Sequence, residues 1–168
     1  VAALENCPFQ INQNSYVKGL TQTKWRGRFD QFPQKRGKDI VIDGAHNIEG
    51  ARALVETWKE VYGEIKPVVI FAAAANKDLH SLINVISQIA ENFICTQPNT
   101  PRKLASREDI ARLIPSHITN EYEESVQNAI KKTEASDRHV LIVGSLFLAG
   151  EALSILDEGN LTFEPSDQ

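Results

Sequence analysis

The stretch DIVIDGAHNIEGARAL, residues 39–54, decides the fold, because an apolar run passes directly into polar residues and then into an amphipathic segment. Residues 40–42 (IVI) have the continuous apolar character of a strand that is covered on both faces. Residues 48–62 carry apolar side chains at helical spacing, and Gly63 and Pro67 punctuate the end of this segment. The stretch thus predicts a buried strand over 38–43 that leads straight into a helix over 48–62.

The same alternation continues along the rest of the chain. Short apolar runs predict further strands at residues 67–73, 92–96 and 139–143, and residues 117–122 (HITNEY) are a candidate for an additional short strand. Periodic segments predict further helices at residues 78–91, from Ser106 onward, at 124–135 and at 145–157. Strands that alternate with helices through right-handed crossovers form a doubly wound, mainly parallel α/β sheet with helices on both faces.

The two ends of the chain fit this pattern poorly. We interpret residues 1–24 as the tail of a preceding domain with a linker, residues 25–158 as the α/β domain, and residues 159–168 as a C-terminal tail. Residues 23–29 (TKWRGRF) are expected to be extended and to enter the domain before a turn at 34–37. The sequence contains no methionine, so we expect a fragment or a processed product of a longer protein.

Composition and charge exclude several classes of protein. The net charge of −4 disfavours a general nucleic-acid binder. No signal peptide and no apolar stretch long enough to span a bilayer is present, so we expect a cytoplasmic protein. Cys7 and Cys95 form neither a disulfide framework nor a metal site, and Cys95 is expected in the core. The basic residues between 24 and 38 indicate either a solvated turn or a small anion site.

Polar residues follow the predicted strands at the edge of the sheet where ligands of doubly wound folds bind. We expect residues 43–47 (DGAHN), residues 74–78 and the pair 144–145 to meet there. Turn chemistry accounts for Gly44, which permits a sharp bend, and for Asn47, which caps the following helix. The Asp43 carboxylate can accept ribose hydroxyls or hold the water of a cation, and His46 can donate to an anion or orient a carboxylate.

Familiar phosphate and nucleophile motifs do not account for these residues. The sequence lacks the dinucleotide fingerprint and the phosphate loop, and residues 144–146 (GSL) do not form a nucleophile elbow. A Ser145–His46–Asp43 triad is therefore disfavoured. Ser145 is first a helix cap, whose helix N-terminus can bind a carboxylate. Lys77 lies either beside an anionic ligand or in an ordinary polar loop.

Five motifs together resemble the carboxyl-terminal domain of folylpolyglutamate synthase/dihydrofolate synthase, in the Mur ligase superfamily. They are W-x-G-R-F at 25–29, D-G-A-H-N at 43–47, N-K-D at 76–78, P-R-x-L-x-S at 101–106 and G-S-L-x-L-x-G-E within 143–151. The resemblance implies a Rossmann-like Mur ligase C-terminal domain. It also implies ATP-dependent amide formation in folate biosynthesis and one-carbon metabolism, in which the amine of L-glutamate attacks the acyl phosphate of a pteroate or folate.

The resemblance also implies cofactors, partners and roles for particular residues. ATP and Mg²⁺ would be the cofactors, with the phosphate loop and most magnesium ligands on a missing amino-terminal domain of the same chain. Arg28 and Asp43 would hold the adenosine end of ATP, Asp43 through the ribose. His46 would lie near the phosphates or the incoming glutamate, and Ser145 would face glutamate or the folate tail. The remaining nucleotide-site candidates are Gly44, Asn47 and Lys77.

Several questions stay open at this stage. Asn76, Arg26 and Ile48 depart from residues common in the family, and Arg102 is a weaker site candidate. The choice between dihydropteroate and tetrahydrofolate, the polyglutamate length and the oligomeric state are undecided. A fragment without the phosphate loop is expected to be inactive. The alternatives are the C-terminal domain of a muramyl-peptide or cyanophycin-type ligase, or a non-catalytic nucleotide-binding module.

Overall fold

A computed structural model describes residues 12–23, 25–34 and 37–157. In this part of the chain the elements are α1 (Gln13–Gln22), β1 (Asp30–Pro33), β2 (Asp39–Ile42), α2 (Ile48–Tyr62), β3 (Val68–Phe71), α3 (Leu79–Ile86), β4 (Asn92–Cys95), α4 (Arg107–Leu113), β5 (Thr119–Tyr122), α5 (Val126–Thr133), β6 (Val140–Val143) and α6 (Leu146–Leu156).

The six strands form one sheet in the order β1-β2-β6-β3-β4-β5. β1 pairs antiparallel with β2, and all other neighbours pair in parallel. The predicted α/β class and the mainly parallel sheet are confirmed. This order brings β6 between β2 and β3, so the loops that follow these three strands lie side by side.

Two boundaries differ from the sequence prediction. Residues 23–29 were expected to be extended, but Gly27 and Phe29 adopt φ values of 70° and 46°, so the chain turns there and pairing begins at Asp30. The helix predicted over residues 78–91 was expected to reach residue 91, but the corresponding helix α3 ends at Ile86. Beyond it, turn-type hydrogen bonds bring Ile89 into the core before β4.

Alternate strand residues point to opposite faces of the sheet, and each face has its own core. On one face, Val69, Phe93 and Leu141 pack against α2, α3 and α4. On the other, Ile70 and Ile142 pack against α5 and α6. The prediction of helices on both faces is therefore confirmed. Cys95 is buried as expected, and burial raises the pKa of its thiol to about 11.

In the basic segment between residues 24 and 38, Lys38 is neither part of a solvated turn nor available to bind an anion. This side chain is only 6% exposed, and its Nζ donates to the carbonyl oxygens of Thr133, Glu134 and Ser136 at 2.8, 3.2 and 2.7 Å. These carbonyls lie at the C-terminal end of α5, where a cation is favourable. Lys24, Lys35 and Arg36 lie outside the described residues.

Replacing Lys38 by methionine is expected to lower the free energy of unfolding by about 2 kcal/mol, because three carbonyls lose a charged donor in a buried place. Urea unfolding of the 168-residue chain measures this change. Lys131→Met is the control, because this exposed lysine of α5 should change the stability by less than about 0.5 kcal/mol. Equal effects of the two substitutions would contradict the capping role.

The predicted domain boundaries stay predictions. α1 buries none of its residues, and residues 1–11 of the predicted N-terminal tail, residue 158 and the whole predicted C-terminal tail, 159–168, lie outside the described residues. Among the helices of the described ranges, none combines the length and the apolar character that crossing a membrane requires.

Candidate functional site

Two pockets open at the carboxyl ends of β2, β3 and β6, and His46 lines both. The first, the Asp43 pocket, has a volume of about 490 Å³ and is lined by residues that include Arg28, Phe29, Asp43, Gly44, His46, Asn47 and Thr57. The second, the Ser145 pocket, has a volume of about 250 Å³ and is lined by His46, Ala74, Lys77, Arg102, Gly144, Ser145, Leu146 and Phe147. The loops that the sequence predicted to meet therefore do meet.

The Asp43 carboxylate joins two segments of backbone. Its Oδ2 accepts the N–H of Phe29 and its Oδ1 accepts the N–H of Ala45, both at 2.8 Å. The side chain is 9% exposed. Asp43 thus ties the segment before β1 to the loop after β2, a role that the sequence analysis did not foresee. A ligand hydroxyl would have to use the remaining lone pairs of the carboxylate.

Burial raises the pKa of the Asp43 carboxyl, while the two backbone N–H groups and the charge of Arg28 act in the opposite direction. Because burial is the larger influence, the folded protein binds this proton more tightly than the unfolded chain does. The contribution of Asp43 to stability is therefore fully present below its ordinary pKa, and it is lost as the pH rises through the raised pKa.

Replacing Arg28 by glutamine is expected to raise the pKa of Asp43 further, because the substitution removes a nearby positive charge. A carbon-13 NMR titration of the side-chain carboxyls in the 168-residue chain measures this shift. Arg112→Gln serves as the control, because this exposed arginine pairs with Asp109 on α4. An unchanged Asp43 titration in Arg28→Gln would show that the guanidinium does not act on this carboxylate.

Gly44 allows the side chains of Arg28 and Leu146 to approach the backbone closely. A Cβ built on this residue would lie 2.7 Å from Nη1 of Arg28 and would collide with the side chain of Leu146. Gly44 is not one of the described glycines with a positive φ. The sharp bend that the sequence suggested therefore does not depend on a left-handed backbone at this residue. Asn47 caps α2 as expected, because its side chain accepts the N–H of Gly50 at 2.8 Å.

His46 is held by its own loop. Its Nδ1 lies 2.8 Å from the carbonyl oxygen of Gly44. Because a carbonyl only accepts, Nδ1 carries the proton of the neutral ring, and Nε2 remains for a ligand. The ring is therefore not oriented by Asp43, which agrees with the rejection of a Ser145–His46–Asp43 triad.

The Ser145 pocket is suited to an anion. Ser145 caps the eleven-residue helix α6 by accepting the N–H of Phe147 at 3.2 Å, and it is 7% exposed. Lys77 and Arg102 line the same pocket, and the guanidinium of Arg102 lies 5.7 Å from the centre of the Phe147 ring. Two cations beside a helix N-terminus favour a carboxylate or a phosphate. Arg102, only a weak candidate from the sequence, is thus part of this site.

The described ranges contain no group of three or more His, Cys, Asp or Glu side chains that could hold a metal ion. These residues do not fit a magnesium site. This edge of the sheet is suited to binding anions and hydroxyl groups, with the imidazole of His46 between the Asp43 pocket and the Ser145 pocket.

A sequence model of the family described as "Mur ligase, glutamate ligase domain" matches residues 27–146, which include the whole lining of the Asp43 pocket and, except for Phe147, that of the Ser145 pocket. The chain belongs to this family. The match begins just before Arg28 and ends just after Ser145, so it spans the strands and loops that build the site. The family assignment that the five motifs implied is therefore confirmed.

The names of two relatives of this Mur ligase domain indicate different substrates. The dihydrofolate synthase/folylpolyglutamate synthase of Bacillus subtilis (strain 168) is 28% identical over 142 residues, covering 84% of this chain and 33% of the relative. The UDP-N-acetylmuramoyl-L-alanyl-D-glutamate–L-lysine ligase of Streptococcus sanguinis (strain SK36) is 28% identical over 158 residues, covering 89% and 32%. The chain thus spans about a third of the length of these relatives.

Solved structures share the fold of this Mur ligase domain. FolC of E. coli in complex with DHPP and ADP has a TM-score of 0.81 at 19% identity, covering 94% of this chain and 37% of that chain. A bifunctional folylpolyglutamate synthase/dihydrofolate synthase with Mn, AMPPNP and L-glutamate bound has a TM-score of 0.79 at 21% identity, covering 93% and 37%. The Rossmann-like architecture expected for the domain is therefore confirmed.

Proposed function

We propose that this chain is the C-terminal domain of an ATP-dependent ligase that adds L-glutamate to dihydropteroate or reduced folates through an acyl-phosphate intermediate. The observation that carries the proposal is the pair of pockets that adjoin at His46. One is bordered by Arg28 and Asp43, and the other by the N-terminus of α6 with its cations. Such a pair can hold a nucleotide and an amino acid on either side of one imidazole.

The Asp43 pocket is proposed to hold the adenosine end of ATP. Arg28 offers a planar cation at its wall, and the remaining lone pairs of Asp43 accept a ribose hydroxyl. Because Gly44 has no side chain, the guanidinium of Arg28 can lie directly over its backbone. Support comes from the family relatives, because synthases of the same fold were solved with ADP or AMPPNP.

The Ser145 pocket is proposed to hold a carboxylate of L-glutamate. The N-terminus of α6 borders this pocket through Ser145 and Leu146, and Lys77 and Arg102 add positive charge. His46 then lies between the glutamate and the phosphates, with Nε2 available as a proton acceptor. The glutamate amine forms the C–N bond, the C–O bond to phosphate breaks, phosphate leaves with the electron pair, and the amine proton passes to Nε2.

Mg²⁺ and the phosphate loop are proposed to belong to another domain of a longer protein, because the described residues contain no group of three or more His, Cys, Asp or Glu side chains that could hold the ion. In such a protein, magnesium would neutralise the phosphates of ATP. The proposed cleft between the two domains would exclude water, which otherwise hydrolyses an acyl phosphate. The 168-residue chain is therefore expected to have no ligase activity by itself.

A muramyl-peptide ligase is the second candidate. The observation that favours it is the L-lysine ligase of Streptococcus sanguinis, which has the same 28% identity to this chain as the Bacillus subtilis synthase. A binding module without chemistry is the third. The Ser145 pocket suits both ligase candidates, because L-glutamate and L-lysine each carry a carboxylate beside the reacting amine.

The deciding experiment offers acceptors and amino acids in separate combinations to the longer protein that carries this chain, with ATP and Mg²⁺. The acceptors are dihydropteroate, tetrahydrofolate and UDP-N-acetylmuramoyl-L-alanyl-D-glutamate, and the amino acids are L-glutamate and L-lysine. Mass spectrometry then identifies the product. Glutamate joined to a pterin supports the proposal, lysine joined to the muramyl peptide supports the second candidate, and no product in any combination supports the third.

A further inference from the structure

Phe29 has a conformation that the proposed site does not by itself require. Among the non-glycine residues of the described ranges, it is the one with a positive φ, at 46°. A side chain in this region of backbone space is strained and persists only where the surroundings hold it. Strain of this kind concentrates at functional sites, and Phe29 lines the Asp43 pocket directly beside Arg28.

Two sets of contacts hold Phe29 in place. Its N–H donates to Oδ2 of Asp43 at 2.8 Å. Its ring lies 6.3 Å from the rings of both Trp58 and Tyr62, edge-on to Trp58 and tilted against Tyr62. Trp58 is fully buried, and its Nε1 donates to the carbonyl of Ile65 at 2.8 Å, so the ring against which Phe29 packs is itself fixed.

Arg28 is thereby anchored on both sides. Before it, the carbonyl of Gly27 accepts the N–H of Gly44 at 2.8 Å, and after it, Phe29 is bound to Asp43 and to α2. Arg28 is an exposed residue whose Nη1 lies over Gly44. Its direction therefore depends on the backbone at its two neighbours.

We propose that Phe29 is a positioning residue, whose ring packs against α2 and holds the guanidinium of Arg28 at the wall of the Asp43 pocket. The identity of the ligand of the Asp43 pocket, ATP, rests on the proposed function. The placement of Arg28 can be tested in the 168-residue chain without any ligand. Phe29 does not touch the reacting atoms, so it acts through Arg28.

The first test compares Phe29→Leu with Phe32→Leu in the 168-residue chain. Phe32 is a matched aromatic on β1 that packs on the other core and lies under Arg26. In Phe29→Leu, we expect the carbon-13 titration of Asp43 to move to higher pH and the Nε of Arg28 to become more mobile by nitrogen-15 relaxation. Phe29→Tyr and Phe32→Leu should match the wild type. No change in Phe29→Leu, or the same change in Phe32→Leu, would overturn the proposal.

The second test uses the longer protein and its ATP kinetics. Phe29→Leu is expected to raise KM for ATP about tenfold, equivalent to about 1.4 kcal/mol, with kcat within about twofold. Phe29→Tyr should restore KM, and Phe32→Leu should leave it unchanged. A loss confined to kcat in Phe29→Leu, or an equal rise of KM in Phe29→Leu and Phe32→Leu, would overturn the positioning role. If Phe29→Leu does not fold, Tyr62→Leu removes one of its two ring contacts and takes its place.

The two tests separate the failure of this inference from the failure of the proposed function. A wild-type longer protein without ATP-dependent ligation rejects the function, and the titration and relaxation data then decide on Phe29 by themselves. Ligation with an unaltered KM in Phe29→Leu rejects the inference and leaves the function standing.

Discussion

If the proposed function holds, replacing His46 by alanine is expected to lower kcat/KM of the proposed longer ligase about 100- to 1,000-fold, with the loss mainly in kcat. This imidazole lines both pockets, so it is the group best placed to act between a nucleotide and an amino acid. A positioned proton acceptor or electrostatic stabiliser contributes a factor of this size. Steady-state kinetics with saturating ATP and L-glutamate measures the loss.

Two further variants separate the chemistry of His46 from its structural role. His46→Asn keeps a side-chain donor near the carbonyl of Gly44 but has no group at the place of Nε2, so its loss should approach that of His46→Ala. His80→Ala removes an exposed histidine from the outer groove between α2 and α3, and it should leave the kinetics unchanged. A His46→Ala enzyme within about threefold of the wild type would contradict a role in the reaction.

Replacing Gly144 by alanine is expected to lower the free energy of unfolding by about 3 kcal/mol or more. The residue has a φ of 113°, which costs an alanine about 1–3 kcal/mol. Its Cβ would lie 2.6 Å from the carbonyl oxygen of Ala72 and 2.6 Å from the Phe71 ring, so the end of β3 would have to move. The shift would reach the site, since the Gly144 N–H donates to the carbonyl of Ala45 at 3.0 Å.

Gly63→Ala is the matched control for this substitution. Gly63 also has a positive φ, at 61°, but a Cβ there would meet nothing within 4 Å. Only the backbone strain remains, so we expect a loss of about 1–3 kcal/mol, smaller than that of Gly144→Ala by the contribution of the clashes. Urea unfolding of both variants of the 168-residue chain measures the difference. Equal losses would show that the contacts with Ala72 and Phe71 do not matter.

The sheet could be predicted from the sequence because buried parallel strands leave an unmistakable apolar run, as at residues 40–42 and 140–143. The loops of the site could be placed for a related reason, since topology alone brings strand ends to one edge. β1 was not predicted, and residues 23–29 were expected to be extended instead, because the position of β1 depends on the turns at Gly27 and Phe29. A positive φ at a phenylalanine has no signature in a single sequence.

Asp43, Phe29 and Lys38 mark the limit of sequence reasoning about side chains. A carboxylate at a strand end suggests a ligand, yet both oxygens of Asp43 accept backbone N–H groups, one of them fourteen residues away. Lys38 reads as part of an exposed basic run, yet it caps a helix that begins 88 residues later. Such contacts join distant segments, so only the folded chain shows them.

Phosphate release from ATP by the longer protein tests the central claim, that the two pockets hold ATP and L-glutamate for ligation to a pterin. The assay needs L-glutamate, with and without dihydropteroate or tetrahydrofolate, for the wild type, for Asp43→Ala and for the exposed control Asp109→Ala. We expect phosphate release that requires both glutamate and a pterin, that collapses in Asp43→Ala and that persists in the control. Release that ignores both co-substrates, or no release in the wild type, would contradict this claim.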